Sequence, residues 1–111
     1  MLSKDKKINT QLFKEVLNKG KTHHFTYFSV KTLKSPVNEN KSKFTIVVSK
    51  KIVKKAISRN LIRRRFFNII KDIYKDFPTP YAFIFFLKKE GKELNYKDLK
   101  KEIEIILKYE F

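Results

Sequence analysis

Apolar residues recur along the chain at spacings that change from segment to segment, and each spacing predicts one kind of element. Over residues 10–19 the spacing is helical, with Asn9 or Thr10 as a cap at the start and Gly20 at the end. Residues 25–33 and 44–49 are rich in aromatic and β-branched side chains and are separated by a polar stretch that contains a proline. We therefore expect a short first helix followed by two paired strands.

The second half of the chain repeats this change of spacing. Residues 53–74 follow a helical pattern that stops near residues 76–80, where two prolines cannot continue a helix. Residues 81–87 are apolar at every position and too short for most helices, which predicts a central strand covered on both faces. We expect its phenylalanines to lie in the core: Phe83, Phe85 and Phe86.

The last segment is a second amphipathic helix. A turn at residues 90–92 precedes Asn95 and Asp98, which together mark a helix start. Its apolar stripe consists of Leu99, Ile103, Ile106 and Leu107. With no internal repeat and no linker, the pattern predicts one α+β domain over residues 1–111.

Composition limits the classes of function. The 111 residues carry a formal net charge of +16, contain no cysteine and are 41% hydrophobic. This length suits one domain with its own core, and the lack of cysteine excludes thiol chemistry and favours a reducing, cytoplasmic compartment. No apolar stretch suits a signal peptide or a membrane span, so we expect no membrane association. So positive a charge predicts a polyanionic partner, most often a nucleic acid.

The positive charge is concentrated in one segment. No acidic residue lies between Glu39 and Asp72, and all four arginines of the chain fall in this gap. Arginine grips phosphate or a guanine edge with two parallel hydrogen bonds, whereas lysine acts as a mobile point charge. The segment therefore predicts an RNA-binding surface formed by Lys50, Lys51, Lys54, Lys55, Arg59, Asn60, Arg63, Arg64 and Arg65.

The second predicted helix changes character halfway. At about 100° per residue, Phe66, Phe67 and Ile70 fall on the same stripe as Arg59 and Arg63. Arginine on a buried stripe is costly without a carboxylate partner. We therefore expect the first half of this helix to project beyond the core and the second half to anchor it.

The chain offers little for catalysis by its own side chains. His23 and His24 are adjacent, so on a strand they point to opposite faces and do not share a metal ion. No nucleophile–base arrangement is visible, and the only glycines are Gly20 and Gly91, too few for a phosphate-binding loop. We expect no catalytic residue and no metal ligand in this chain.

The arginine-rich segment resembles the signature of the protein subunit of bacterial ribonuclease P. That signature contains Ser-Lys-Lys, two basic residues and alanine, Arg-Asn-Arg, an aliphatic residue and Lys-Arg. At the same spacing this chain reads Ser49-Lys50-Lys51, Lys54-Lys55-Ala56, Arg59-Asn60-Leu61, Ile62 and Arg63-Arg64. The resemblance extends over nearly the whole chain, since the first helix and the strands at residues 28–32 and 81–88 also match.

Two positions depart from the family pattern. Leu61 replaces the second arginine of the triplet and Phe67 replaces a trailing arginine, so the contacts of those two arginines do not carry over. Arg65 stands where the family has an aliphatic residue. On a helical wheel it points away from Arg59 and Arg63, so its added charge is not a direct replacement.

The resemblance implies a fold and a function. The implied fold is α-β-β-β-α-β-α with a mixed four-stranded sheet, similar to the second domain of ribosomal protein S5, with a left-handed crossover. In this family the RNA subunit is the catalyst: it binds Mg²⁺ and removes the 5′ leader of precursor tRNA. The protein binds the catalytic RNA through the signature helix and holds the leader in a cleft between sheet and helix. The implied partners are the catalytic RNA and precursor tRNA, with no obligate protein partner.

Phe13 and Tyr27 are candidates for contact with the single-stranded leader, because exposed aromatic rings stack on unpaired bases. Lys31 is the third leader candidate. Phe13 equally suits a core position on the first helix, and Tyr27 suits a half-buried position on a strand. A basic ribosomal or RNA-assembly protein is the alternative function. A DNA-binding module ranks third, since neither a recognition-helix pair nor a dimer zipper is visible.

Overall fold

The computed structural model describes residues 8–34, 42–73 and 81–108. These residues form α1 (Thr10–Lys19), β1 (Lys21–His24), β2 (Phe28–Lys34), β3 (Lys43–Val47), α2 (Ala56–Ile73), β4 (Tyr81–Leu87), a 3-10 helix (Lys89–Gly91) and α3 (Tyr96–Leu107). This is the α-β-β-β-α-β-α order that the family resemblance implies.

The strands form one mixed sheet with the order β1-β2-β4-β3. β2 pairs antiparallel with both β1 and β4, whereas β3 and β4 are parallel and are connected through α2. β4 is central, as predicted, and four consecutive residues from Ala82 to Phe85 are buried. The prediction that the two strands before α2 pair with each other is wrong. β4 lies between them, because the strand that is apolar on both sides fits the position that is covered on both faces.

The apolar pattern does not predict β1. Its four residues are polar and mostly exposed, and β1 pairs only with β2 at the edge of the sheet. An exposed edge strand buries no face and therefore needs no apolar alternation. The strand expected to begin at Phe25 begins at Phe28, because residues 25–27 form the turn after β1, closed by the Phe25 N–H donating to the Phe28 carbonyl at 2.8 Å.

The helices cover both faces of the sheet. α2 and α3 pack on one face and form the main core with alternate residues of the strands, including Phe83 and Phe85 of β4. The Phe44 and Phe83 rings stack there with their centroids 5.3 Å apart. α1 packs on the other face, where Val16 meets Ala82 and Ile84. We call this second side of the sheet the α1 face.

Side-chain caps fix the predicted helix starts. Asn9 Oδ1 accepts a hydrogen bond from the Leu12 N–H, and Asn95 Oδ1 accepts one from the Asp98 N–H, both at 2.8 Å. α2 begins at Ala56 rather than at Val53, because the Ser49 carbonyl accepts from the Ile52 and Val53 N–H groups and holds that segment in a turn. The apolar stripe of α3 is buried as predicted. Tyr74, the predicted stop of α2 at residues 76–80 and most of the connection between β2 and β3 lie outside the described residues.

Gly20 lets α1 end directly against the sheet. Its N–H donates to the Val16 carbonyl at 2.8 Å. A Cβ atom at this position would approach the same carbonyl oxygen and would lie 3.0 Å from the carbonyl oxygen of Thr32 on β2. The absence of a side chain therefore sets how closely α1 lies across the α1 face.

Candidate nucleic-acid interfaces

Helix α2 is anchored to the core mainly through its second half, where Phe66, Ile69, Ile70 and Ile73 are buried. In its first half, the partly buried Ile62 packs against the main core. In the first two turns Ala56 and Asn60 are exposed, and Ile57 is 83% exposed. The expectation that the first half projects beyond the core is confirmed.

The projecting half of α2 and the loop before it form a continuous basic surface. The loop lysines and Arg64 are exposed, and Arg59 and Arg63 are half-buried. In the described ranges, no carboxylate forms an ion pair with these side chains. The basic surface consists of Lys50, Lys51, Lys54, Lys55, Arg59, Asn60, Arg63 and Arg64. Unbalanced positive charge of this density is suited to phosphate binding.

Arg59 holds the end of the loop, at Val53 and Lys54, against the start of the helix. Its Nη1 donates to the carbonyl oxygens of Val53 at 3.0 Å and of Lys54 at 2.7 Å. The Lys51 N–H donates to Ser49 Oγ at 3.1 Å and closes the other end of the loop. Since arginine has five N–H donors and these bonds use one nitrogen, its other donors remain for phosphate.

Among the described residues, Arg63 is hydrogen-bonded only within its own helix. Its Nη1 donates to Asn60 Oδ1, one turn earlier, at 3.1 Å. Asn60 thereby orients the guanidinium without fixing it to another element. Both residues belong to the RNA-binding set predicted from the sequence, and the structure places them side by side on the basic surface.

Arg65 faces a different side of α2, as the helical wheel predicts. Residues 58, 61, 62 and 65 are three and four apart, so they share one helix face. This face borders a pocket of about 300 Å³, which Leu61 and Arg65 both line. Arg65 therefore lies one turn beyond Leu61 on the same face and is separate from the basic surface.

Phe13 and Lys31 lie on the α1 face. Phe13 is half-buried and packs against the cluster of Val16, Ala82 and Ile84. Lys31 Nζ donates to the Leu17 carbonyl at 2.7 Å, near the end of α1. The structure therefore brings these two leader candidates to one side of the sheet, and the Lys31 side chain is hydrogen-bonded to the end of α1.

Tyr27 is not grouped with them. It lies in the turn before β2 rather than in a strand, and it packs against the main core on the side of α2 and α3. Its carbonyl accepts from the Lys88 N–H at 3.0 Å. The α1 face thus carries Phe13 and Lys31, whereas Tyr27 is half-buried as expected but lies in a turn and not on the expected strand.

Phe86 is an aromatic residue of the α1 face that the sequence interpretation placed in the core. It is only partly buried and packs against the same cluster as Phe13. In the sheet it lies between Val47 of β3 and Ser29 of β2. Strand alternation predicts this position, because neighbouring strand residues point to opposite faces of the sheet and Phe86 directly follows Phe85 of the main core.

The described ranges contain no group of three or more His, Cys, Asp or Glu that could hold a metal ion. His24 Nδ1 lies 3.0 Å from Ser29 Oγ, and His23 is opposite Val30 in the sheet. No helix there is both long and apolar enough to cross a membrane.

Comparisons with known proteins agree on one family. The family model described as Ribonuclease P matches residues 2–110. The ribonuclease P protein component of Microcystis aeruginosa (strain NIES-843 / IAM M-2473) is 27% identical over 99 residues, which cover 87% of this chain and 82% of the relative.

Solved structures share the fold. An RNase P protein from Thermotoga maritima superimposes with a TM-score of 0.82 at 21% identity, covering 95% of this chain and 98% of that chain. One from Staphylococcus aureus gives a TM-score of 0.71 at 25% identity, covering 97% and 91%. Since the family model spans nearly the whole chain, this chain belongs to the ribonuclease P protein family, whose members are the protein component of a tRNA-processing endoribonuclease with a catalytic RNA.

Proposed function

We propose that this protein binds the catalytic RNA of ribonuclease P through the basic surface and holds the single-stranded 5′ leader of precursor tRNA on the α1 face. The observation that carries this proposal is the position of the two surfaces. The basic surface lies at the start of α2, which packs on one face of the sheet. Phe13 and Phe86 lie beside α1 on the opposite face. The protein is thereby able to contact both RNAs at the same time.

Contact with the catalytic RNA depends on charge and on its arrangement. Neutralising several phosphates releases condensed counterions, which supplies affinity without reading the sequence. The guanidinium groups add geometry, because each presents two parallel donors to a phosphate. Arg59 fixes the loop lysines beside the helix through its bonds to Val53 and Lys54, so the charges keep a defined pattern.

Contact with the leader depends on stacking. Phe13 and Phe86 keep part of their surface exposed on one side of the sheet, and Lys31 lies on the same side. A base stacked on an aromatic ring contributes roughly 1–3 kcal/mol, whatever the base. This surface therefore suits leaders of different sequences, with Lys31 near their phosphates.

In this proposal the Mg²⁺ ions that hydrolysis requires are held by the RNA. Mg²⁺ binds carboxylate oxygens together with water or phosphate, and the described residues bring no carboxylate cluster together. The role of the protein is to supply positive charge where RNA strands approach each other. A cytoplasmic location stays a prediction.

The leader contact is tested by removing each ring while keeping its apolar volume. We expect holoenzymes with Phe13→Leu or Phe86→Leu to bind precursor tRNA roughly 5-fold to 150-fold more weakly, the equivalent of about 1–3 kcal/mol. Binding of mature tRNA, which lacks the leader, should not change. Tyr96→Leu, at an exposed ring on α3, is the matched control and should have no effect. Equal losses for both RNAs would show that the rings support the fold and do not contact the leader.

The alternative, a scaffold protein for structured RNA, is tested by reconstitution. We expect this protein to accelerate cleavage of precursor tRNA by the catalytic RNA at low Mg²⁺ concentration, where charge neutralisation matters most. A protein that binds the RNA without any increase in the cleavage rate would favour the scaffold function.

A further inference from the structure

A pocket beside α2 belongs neither to the basic surface nor to the α1 face. Its volume is about 300 Å³, at the lower end of the ~300–1,000 Å³ range of small-ligand sites. Its apolar lining consists of Ile52, Val53, Leu61 and Ile62. Three of these four pack against the main core, Leu61 being the exception, so most of this lining is fixed.

The polar lining comes from two separate elements. Ser58 and Arg65 lie on α2, and Lys92 and Glu93 follow the 3-10 helix. Among the described residues, the side chains of Arg65 and Glu93 make no hydrogen bond or ion pair. An arginine and a carboxylate therefore border an open, partly apolar pocket without neutralising each other, and both remain for a ligand.

The chemistry of this lining fits a nucleotide. Apolar side chains and a planar guanidinium stack on a base, and Arg65 and Lys92 attract its phosphate. Glu93 repels phosphate, so its presence favours a base whose edge carries hydrogen-bond donors. Only guanine presents two adjacent donors on its Watson–Crick edge, N1–H and the N2 amino group, which match the two oxygens of a carboxylate.

We propose that this pocket, the α2 pocket, receives an unpaired guanine of the catalytic RNA. The proposal deepens and rests on the proposed binding of that RNA by the basic surface, which shares the projecting half of α2. The leader is a less suitable source, because the pocket packs on the side of α2 and α3, whereas Phe13 and Phe86 lie on the α1 face. Arg65, one turn from Leu61, then serves the pocket rather than the basic surface.

The base preference is tested on the free, full-length protein by titration with single nucleotides. The methyl signals of Ile52, Leu61 and Ile62 are followed by NMR as GMP, AMP, CMP or UMP is added, with Ile84 on the α1 face as internal reference. We expect GMP to shift the three pocket signals and to bind more tightly than AMP by roughly tenfold, within the range of a bidentate base contact. Pocket signals that respond to no nucleotide, or to all four alike, would overturn the proposal.

The role of the carboxylate is tested by Glu93→Gln. We expect this variant to lose the preference for GMP over AMP, because an amide offers only one acceptor to the two guanine donors. Glu15→Gln on α1 makes the same change of charge on the other side of the sheet and should keep the preference. An unchanged preference in Glu93→Gln would remove Glu93 from the site and overturn the proposal.

The source of the base is tested in the assembled enzyme. The chain has no cysteine, so Ile57→Cys, at a position 83% exposed and about 6 Å along the helix from Leu61, accepts a single photo-crosslinker. We expect crosslinks to an unpaired guanine of the catalytic RNA. Crosslinks to the leader of precursor tRNA alone would overturn the proposed source.

Failure of the pocket is distinguishable from failure of the proposed function. If Arg63→Ala weakens binding of the catalytic RNA while the pocket signals do not respond to GMP, RNA binding by the basic surface is supported and guanine binding by the α2 pocket is refuted. If Arg63→Ala leaves RNA binding unchanged, the basic surface itself is refuted, whatever the pocket signals show.

Discussion

Arg59 and Arg63 lie four residues apart on the same helix, yet their replacement by alanine should have different consequences. Arg59 donates to two backbone carbonyls of the preceding loop, at 3.0 and 2.7 Å. Within the part of the chain that the structure describes, Arg63 donates only to the side chain of Asn60. Arg59 therefore connects two segments of the fold, whereas Arg63 connects two neighbours on one helix turn.

The structure sets the size of the stability effect. A hydrogen bond from a charged donor contributes about 1.5–3 kcal/mol at most sites, and one of the two Arg59 bonds is exposed. We expect Arg59→Ala to lower the free energy of unfolding by about 1–2 kcal/mol, which lowers the melting temperature by roughly 4–10 °C in a domain of this size. Arg63→Ala should leave the melting temperature unchanged.

Both variants should weaken RNA binding in a way that salt reveals. Each phosphate contact that is lost reduces the slope of log affinity against log salt concentration by about 0.7–0.9. We expect Arg63→Ala to reduce the slope by about one contact, and Arg59→Ala by more, because the loop lysines lose their fixed position. Lys71→Ala, at an exposed position in the last turn of α2, is the control and should keep the slope.

Thermal unfolding of the free protein and binding of the catalytic RNA across a salt series measure the two quantities separately. An unchanged melting temperature in Arg59→Ala would refute the inference that its bonds stabilise the loop. A slope unchanged in Arg63→Ala would refute its contact with phosphate. A melting temperature lowered equally in both variants would place the two arginines in the core.

Three further predictions concern the fold. Gly20→Ala should lower the free energy of unfolding by about 1–3 kcal/mol, measured by urea denaturation, because a Cβ atom would meet the carbonyl oxygens of Val16 and Thr32. An unchanged unfolding midpoint would show that α1 shifts freely on the sheet. Asn95→Ala should cost about 1 kcal/mol by removing the cap of α3, and Asn95→Asp should retain most of the stability. Phe66→Ala should cost about 3–5 kcal/mol, because its ring is fully buried 5.0 Å from that of Phe85; a loss below 1 kcal/mol would contradict the anchoring of α2 through its second half.

Several features of the fold were predictable from the sequence, because residues close together in the chain determine them. Asn9 and Asn95 cap their helices with their own side chains, so the helix starts were visible in short stretches of sequence. The run at residues 81–87 is apolar on both sides, and only a central strand buries both of its faces. The change along α2 from arginine to phenylalanine on one stripe predicted that its first half leaves the core, because a buried guanidinium without a partner is too costly.

Other features depended on contacts between distant segments, which local pattern does not encode. The polar strand β1 exists because β2 offers it a free edge. The position of β4 between β2 and β3 follows from competition among the strands for the most buried place in the sheet. Contacts between distant segments also place Tyr27 against the main core and Phe13 on the α1 face, on opposite sides of the sheet.

The residues proposed to bind RNA show the same division. Charge and residue type alone predicted a polyanionic partner for residues 50–65, since no acidic residue balances them and the segment holds every arginine of the chain. Only the tertiary structure decided which of these groups lie together. Arg59 reaches back to Val53 and Lys54, while Arg65 lines the α2 pocket with Lys92 and Glu93, 27 and 28 residues further along the chain. A pocket formed by segments so far apart has no local signature, because its shape exists only after the main core has packed.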